Sequence, residues 1–288
     1  MTDNCDQTRR LFLRTAALGA VASVAGLQTS FAASPALHAV PRDKKRPLKL
    51  AMASYSLRKF NLDQALAMTR HVGLKAINLK SFHLPLDSTK AEIKAAVKKI
   101  RDAGIFLYGG GVIRMSNKKE VDQAFEYAKA AGMLRIIGVP APAMLPLVNE
   151  KVQQYDIQVC IHNHGPGDNI YPTPDVAYAR IKNLDKRIGL CHDIGHTARS
   201  GKDPAAMTRQ CADRIHDVHM KDVTAVGKKG VSTPCGRGII DIPSVLQALV
   251  DIHYTGYLAF EYESEPNDPL PGIAESVGYV NGVMDMMK

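Results

Sequence analysis

A single α/β domain folded as a closed (β/α)8 barrel is the fold class that the sequence predicts. Apolar runs of strand length alternate with amphipathic helical segments from residue 48 to the end of the chain. Such alternation implies right-handed βαβ units and a parallel sheet. Eight units within residues 48–288 match the usual size of one closed barrel. A doubly wound sheet is disfavoured, because no glycine-rich turn follows the first strand.

The first four units are predicted from short apolar runs and from segments with a helical apolar period. Ser88 is the predicted N-terminal cap of the second helix, Gly104 ends that helix, and Gly132 ends the third. The glycine triplet at 109–111 lies inside a strand-like run, which indicates close packing rather than a phosphate-binding loop. The predicted strands are 48–56, 76–82, 105–113 and 134–139, and the predicted helices are 62–71, 90–102, 118–131 and 145–154.

The other four units follow in the second half of the chain with the same alternation. The predicted strands are 157–162, 188–191, 215–220 and 258–262, and the predicted helices are 175–181, 204–211 and 243–253.

Residues 1–32 are predicted to be an export signal rather than part of the fold. Residues 8–14 (TRRLFLR) have the twin-arginine form, and an apolar stretch from 15 to 27 follows them. Cleavage is expected after Ala32, which leaves residues 33–47 as a linker. The apolar stretch is shorter than the ~20 residues that span a bilayer, so no stable membrane anchor is expected. The predicted location is periplasmic or secreted, by the twin-arginine route.

The chain is basic, with a formal net charge of +9 at pH 7. Lysine and arginine are dispersed, and no basic patch interleaved with aromatic residues occurs, so no nucleic-acid partner is expected. Cys160, Cys191, Cys211 and Cys235 have no paired spacing and are predicted to be buried or free thiols. The oligomeric state stays open.

Short polar motifs end the last four predicted strands. They are IHNHG (161–165), CHDIGH (191–196), IHDVHMKD (215–222) and FEYE (260–263). The carboxyl ends of barrel strands meet at the face where such enzymes have their active sites. Imidazoles and carboxylates bind divalent metal ions, and gathering them without a shared partner would be costly in desolvation. The candidate metal ligands are His162 and His164 at the end of the fifth strand, Asp193 at the sixth, His219 at the seventh and Glu261 at the eighth.

From SYSLR (54–58) to FEYE, the chain resembles the xylose-isomerase-like superfamily of sugar phosphate isomerases and epimerases over residues 48–285. The resemblance implies a TIM barrel with one divalent metal ion, most often Mn²⁺, with Zn²⁺, Co²⁺ or Mg²⁺ as alternatives. In that family a Glu, an Asp, a His and a Glu on strands five to eight hold the ion. Asp193, His219 and Glu261 match the last three positions, whereas His162 stands in place of the first Glu.

The resemblance also implies residues that meet the substrate. His196, three positions after Asp193, matches a family histidine that contacts substrate, and Arg237 lies in the matching GRG turn (236–238). His83 and Glu263 are also expected to contact substrate. The predicted catalytic residues are Glu261 as base and His164, Lys80 and Lys221 as proton carriers.

The activity implied by the resemblance is metal-dependent enolisation of a keto-sugar or aldose, with a small sugar or glycoside as substrate. Epimerisation usually needs two bases, and His162 removes one of the family's two carboxylates. Aldose–ketose isomerisation and β-elimination from a 3-keto-glycoside are therefore both left open. A phosphodiesterase similar to endonuclease IV is disfavoured because strands two to four offer few ligands, and a non-catalytic sugar-binding barrel is the remaining alternative.

Overall fold

The structure is a computed structural model that describes residues 46–287. The predicted export signal lies outside the described residues, as does the predicted linker apart from its last two residues. Within the described range, no helix has both the length and the apolar character needed to cross a membrane.

Eight parallel strands close into a barrel, which confirms the predicted fold class. Around the barrel each strand pairs with its neighbours in the sequence, and β1 pairs with β8 to complete the ring. The strands are β1 (Lys49–Ala53), β2 (Ala76–Leu79), β3 (Phe106–Met115), β4 (Arg135–Pro140), β5 (Gln158–His162), β6 (Ile188–Asp193), β7 (Ile215–Met220) and β8 (Tyr257–Phe260).

Nine α-helices are present in residues 46–287, and seven of them were predicted. The first three have the predicted ends, and the sequence missed α6 and the C-terminal α9. The sequence also missed a short hairpin after β7, formed by Asp222–Val223 and Ser232–Thr233. The helices are α1 (Leu62–His71), α2 (Lys90–Asp102), α3 (Lys118–Ala131), α4 (Leu145–Tyr155), α5 (Pro174–Ile181), α6 (Ile194–Arg199), α7 (Pro204–Gln210), α8 (Ile242–Asp251) and α9 (Leu270–Met286).

The cap of α2 differs from the prediction. Thr89, not Ser88, is the N-cap: its hydroxyl accepts a hydrogen bond from the backbone N–H of Glu92, and the Glu92 carboxylate accepts one from the N–H of Thr89. The pattern Thr89-x-x-Glu92 is a capping box, which satisfies two N–H groups at once, whereas Ser88 has no acid three positions later.

The main core lies between the barrel and its helices, and a smaller cluster lies inside the barrel. Ala51, Ala53, Ala259 and Tyr108 belong to the inner cluster, because alternate strand residues face opposite sides of a sheet. The glycine triplet of β3 packs closely, as predicted: a Cβ on Gly110 would lie 2.8 Å from the Met133 sulfur. The four cysteines of the described chain are buried and free, which is also as predicted.

One buried arginine anchors the turn that leads from α5 into β6. Arg214 Nη1 donates to the carbonyl oxygens of Asp185 (2.9 Å) and Ile188 (2.7 Å), and Nη2 donates to those of Lys182 (2.8 Å) and Leu184 (2.9 Å). Its side chain is fully buried. The guanidinium therefore adds four hydrogen bonds to buried backbone carbonyl groups of this turn.

Replacing this arginine should destabilise the barrel. Arg214→Met should lower the free energy of unfolding by about 3 kcal/mol, because four carbonyl groups lose their donor. Arg209→Met, which removes an exposed ion pair with Asp251, is the matched control and should change stability little. Denaturant unfolding measures both. Equal losses in the two variants would show that the buried contacts add nothing.

Candidate metal centre and catalytic cavity

A cavity of about 860 Å³ opens at the carboxyl ends of the barrel strands. It has the size of a small-molecule site. Residues in or after all eight strands contribute to its wall. The lining side chains are Tyr55, Lys80, Val112, Arg114, Ser116, Val139, Ala141, His162, His164, Pro166, Asp168, Asn169, Ile170, His196, Lys228, Glu261 and Glu263, together with Gly167.

At the floor of this cavity the structure brings together the four predicted metal ligands. One ligand atom from each of His162, Asp193, His219 and Glu261 lies within 4.8 Å of the other three. His219 Nδ1 is 3.1 Å from both His162 Nε2 and Glu261 Oε2, and His162 Nε2 is 3.4 Å from Asp193 Oδ2. All four side chains are buried. They come from four consecutive strands, β5 to β8.

Strand register explains the convergence. His219 pairs with Asp193 of β6 and with Ala259 of β8, so Glu261, two residues beyond Ala259, faces the same side. Asn163, which follows His162 and faces away from it, fastens the ends of β5 and β6. Its amide donates to the carbonyl oxygen of Asp193 (3.2 Å) and accepts from the Asp193 N–H (3.0 Å).

The atoms that face one another fit a divalent metal ion. Asp193 Oδ1 accepts a hydrogen bond from the backbone N–H of His196, and Oδ2 is buried with no well-aligned donor. Two imidazole nitrogens, from His162 and His219, point at the same space as Oδ2 and the Glu261 carboxylate. Two nitrogens and two carboxylate oxygens from four side chains suit Mn²⁺, Zn²⁺ or Co²⁺.

The two carboxylates of the centre are held ionised. Burial by itself raises the pKa of Asp193, but the charges of His196 and Lys221 outweigh it and hold the pKa well below its usual range. Burial also raises the pKa of Glu261, and there His219 and Lys221 outweigh it and lower the pKa well below the usual value. Both groups therefore keep the charge that a metal ligand needs.

The two histidines have opposite pKa shifts. Burial lowers the pKa of His162 to about 3, so its ring stays neutral and keeps a lone pair for a ligand bond. Burial also disfavours a charged His219, but the adjacent Glu261 carboxylate more than offsets this and raises the pKa of His219. His162 therefore offers an uncharged ligand nitrogen at the position where the superfamily pattern has a carboxylate.

Lys221 lies behind the centre rather than in the cavity wall. Its ammonium nitrogen is 3.0 Å from Asp193 Oδ2, 2.9 Å from Glu261 Oε2 and 2.6 Å from Glu263 Oε1. Burial lowers the pKa of Lys221, but these three carboxylates outweigh burial and raise it well above the usual value. The side chain is 1% exposed and does not line the cavity, so its placement does not support the predicted role as a proton carrier to substrate.

Gly195 makes room for the lysine stem. A Cβ at this position would lie 2.7 Å from both Cγ and Cδ of Lys221, too close for any other residue without displacement. Gly195 belongs to α6, which begins directly after Asp193 and which the sequence did not predict. The contact between Gly195 and the stem of Lys221 joins residues that are far apart in the sequence, so no local sequence pattern indicates it.

His164 and Lys80, both predicted as proton carriers, line the cavity. The His164 ring lies 4.5 Å from the His162 ring, centroid to centroid, and its Nδ1 is 3.3 Å from Asp168 Oδ2. Lys80 Nζ donates to the carbonyl oxygen of Val112 at 2.5 Å. Burial lowers the pKa of both side chains, opposed by Asp168 at His164 and by Glu261 at Lys80.

Of the four predicted substrate contacts, His196 and Glu263 line the cavity, whereas His83 and Arg237 do not. His83 Nε2 is held by the carbonyl oxygen of Phe60 at 3.0 Å. Arg237 pairs with Glu275 and is 66% exposed. Their placement does not support substrate contact, because each is directed into another interaction outside the cavity.

The direction of Arg237 follows from the turn that carries it. Asp222, next to Lys221, accepts hydrogen bonds from the backbone N–H groups of Gly236 (3.0 Å) and Gly238 (2.9 Å). The turn is thus closed around a buried carboxylate, with the arginine between the glycines left outside. Sequence reasoning missed this role of Asp222 and also missed Tyr55, Arg114, Asp168 and Lys228 in the cavity wall. Of these residues only Arg114 could have been found from the sequence, because it directly follows the predicted strand 105–113. In the structure that strand continues to Met115.

The fold and the site define a TIM barrel with a candidate metal centre at the carboxyl ends of its strands. The family model described as xylose isomerase-like TIM barrel matches residues 57–282, and the chain belongs to that family.

Two kinds of relative stand near this chain. The rhizopine catabolism protein MocC of Rhizobium meliloti is 30% identical over 147 residues, 46% of this chain and 45% of that protein. An inosose dehydratase of Lacticaseibacillus casei is 24% identical over 159 residues, 49% of this chain and 53% of that enzyme. The chain thus spans about half the length of the curated relatives that it matches.

Solved structures with the same fold include the IolI protein with a bound zinc atom and an L-ribulose 3-epimerase. The match to the IolI protein has a TM-score of 0.70 and 16% identity, and it covers 83% of this chain and 98% of the IolI chain. The second has a TM-score of 0.68 and 18% identity, and covers 83% of this chain and 95% of its own. At these identities the likeness establishes the barrel fold alone.

Removing one ligand should remove the metal ion. After dialysis, Asp193→Ala should retain far less than one equivalent of Mn²⁺ or Zn²⁺, because a carboxylate in the centre is lost; plasma mass spectrometry measures the content. Asp168→Ala removes a carboxylate from the same cavity but not from the centre, and it should retain the ion. Full retention in Asp193→Ala would exclude Asp193 as a ligand.

The ammonium group of Lys221 is expected to lower the affinity of the centre for a metal ion, because it competes with the ion for the same carboxylates. Lys221→Met should therefore raise the affinity for Mn²⁺ or Zn²⁺ by about tenfold or more, measured by competition with a chromophoric chelator. Lys229→Met, at an exposed lysine, is the control and should change nothing. Weaker binding in Lys221→Met would show instead that the ammonium is needed to hold the ligands in place.

Proposed function

We propose that this protein is a divalent-metal-dependent enzyme that enolises a carbohydrate-derived carbonyl compound. The observation that supports this most directly is the convergence of four ligand atoms within 4.8 Å at the floor of a cavity of about 860 Å³. A bound divalent ion would act as a Lewis acid that acidifies the proton next to a substrate carbonyl. The named dehydratase and epimerase among its relatives support a sugar-derived substrate.

The residues of the wall supply the proton transfers. Glu261 stays ionised and reaches the cavity, so it is the base that takes the proton from carbon. His164 and Lys80 also reach the cavity and can carry protons to and from the substrate oxygens. Lys221 is shut off from the cavity and instead keeps Glu261 and Asp193 charged and aligned.

The side chain of His162 decides which reactions this site can carry out after enolisation. With a pKa of about 3 it is no second base, so epimerisation through two carboxylates on opposite faces lacks one partner. A neutral imidazole also leaves the bound ion more electrophilic than a carboxylate would. Isomerisation between aldose and ketose needs only one base and agrees with the geometry.

Elimination is the second candidate. The inosose dehydratases matched in sequence are named for loss of water, which supports a β-elimination in this chain, including loss of the aglycone from a 3-keto-glycoside. One base and one acid suffice for that reaction, as Glu261 and His164 would provide. A multi-zinc phosphodiesterase is not supported: in residues 46–287 the second possible ligand group, with Cys191, shares both histidines with the first.

Proton exchange tests the proposal. Metal-loaded protein in deuterated water should add one deuterium to a keto-sugar or 3-keto-glycoside, read by mass spectrometry, and the product identifies isomerase or lyase. His164→Ala should keep the metal ion and lower turnover by about 100-fold, because a proton carrier is lost. His71→Ala, at an exposed histidine of α1, should keep full activity. Metal binding without exchange on any sugar would support a binding barrel instead.

Export is a separate proposal, supported by the sequence of residues 8–32. Replacing Arg9 and Arg10 together with Lys should leave the precursor in the cytoplasm, because the twin-arginine route requires the guanidinium pair. Cell fractionation and immunoblotting measure the distribution, with a Lys44→Arg variant as control. An unchanged periplasmic yield would indicate the general secretory route.

A further inference from the structure

The acids that line the cavity all have partners within the protein. Glu261 and Glu263 contact the Lys221 ammonium at 2.9 and 2.6 Å. Asp168 Oδ1 accepts hydrogen bonds from the backbone N–H groups of Ile170 (2.6 Å) and Tyr171 (3.0 Å), and its other oxygen faces His164. None of these carboxylates is free to receive a cation from a ligand.

Three cations of the same wall form no close ion pair within the described chain, although the charge of Arg114 acts on the nearby Glu120. Lys80, Arg114 and Lys228 each lie more than 4.0 Å from every carboxylate oxygen of residues 46–287. Lys80 donates only to the carbonyl oxygen of Val112, and Arg114 lies two residues further along the same strand. The wall therefore offers positive charge on its β2–β3 side and, through Lys228, from the loop that follows β7.

Lys228 is held in the wall by backbone contacts. The N–H of Gly227 donates to the carbonyl oxygen of Arg199 at 2.7 Å, and Arg199 Nη2 donates to the carbonyl oxygen of Lys228 at 3.3 Å. The stem of Lys228 then crosses Gly167, where a Cβ would lie 3.3 Å from Cε. The loop after β7 is thus fastened to α6 with its lysine directed toward the loop after β5.

Charge balance shows what this wall favours. The four acids of the centre and its wall are equalled in number by the cations Lys80, Arg114, Lys221 and Lys228. Glu120, whose pKa is lowered by hydrogen bonds from Ser116 and by the charge of Arg114, adds one acid beside the wall. A divalent ion at the centre would therefore leave a surplus of about one positive charge in a partly enclosed cleft, which draws anions toward it.

We infer that the substrate carries an anionic group, a carboxylate or a phosphate, which Arg114 and Lys228 receive while the reacting carbonyl lies over the four-ligand centre. This inference rests on the proposed function and names its substrate class. Arg114 offers a planar pair of N–H donors suited to either anion, and Lys228 adds a point charge. Lys80, deeper in the wall and nearer Glu261, stays with the reacting end.

Calorimetric titration of the metal-loaded full chain with matched probes tests the inference. D-Glucuronate, D-glucose 6-phosphate and D-glucose present a carboxylate, a phosphate and no charge on one sugar frame. At least one anion should bind about tenfold more tightly than glucose, and 0.5 M NaCl should reduce that preference. The tighter anion identifies the group. If neither anion binds more tightly than glucose, the inference is wrong.

Variants locate the preference in the wall. In the double variant Arg114→Gln and Lys228→Gln, the preference for the anion over glucose should fall to about threefold or less, and the affinity for glucose should not change. Lys229→Gln, one residue away and exposed, should keep it. An anion preference that survives the double substitution overturns the assignment to these two residues.

The exchange assay separates this inference from the proposed function. Proton exchange on a neutral keto-sugar, equal in rate to that on its carboxylate analogue, would sink the inference and leave enolisation standing. Anion preference that depends on Arg114 and Lys228, without exchange on any carbonyl compound, would leave the anion site standing and sink enolisation.

Discussion

Compensation of buried carboxylates is the constraint on which the active end of this barrel depends. Asp193, Glu261 and Glu263 gather around one ammonium group, that of Lys221, and the first two also face a pair of imidazoles. Charges removed from water are costly unless they are paired and hydrogen-bonded. The lysine meets part of that cost permanently, and a divalent ion would meet the rest.

The rest of the mouth is arranged around this cluster. Gly195 has no side chain because the lysine stem occupies the space, and Asn163 ties the backbone at Asp193 so that its carboxylate points inward. Asp222 closes the following turn and turns Arg237 away. Asn163 joins the ends of β5 and β6, and Gly195 meets Lys221 across the segments that follow β6 and β7, so the geometry of the centre depends on contacts between neighbouring units of the barrel.

The histidine at the end of β5 links structure to chemistry. Its neutral ring would supply a ligand without adding a charge that Lys221 would have to balance, and it leaves one candidate base fewer. The centre is therefore suited to one-base chemistry at an electrophilic carbonyl. The cations of the wall that form no close ion pair add positive charge to the cavity. With a divalent ion at the centre, this charge can attract an anionic substrate.

The sequence by itself determined the barrel and the four side chains that meet as candidate ligands. Strand and helix periods are local properties, and the carboxyl ends of parallel strands must meet, so His162, Asp193, His219 and Glu261 could be brought together without coordinates. Two placements differed, because His83 and Arg237 are held by contacts distant in sequence, with Phe60 and Glu275. The position of Lys221 behind the centre, the buried donors of Arg214 and the cations of the cavity wall were decided only by tertiary structure. Each depends on distances between separate elements, which no local pattern of residues encodes.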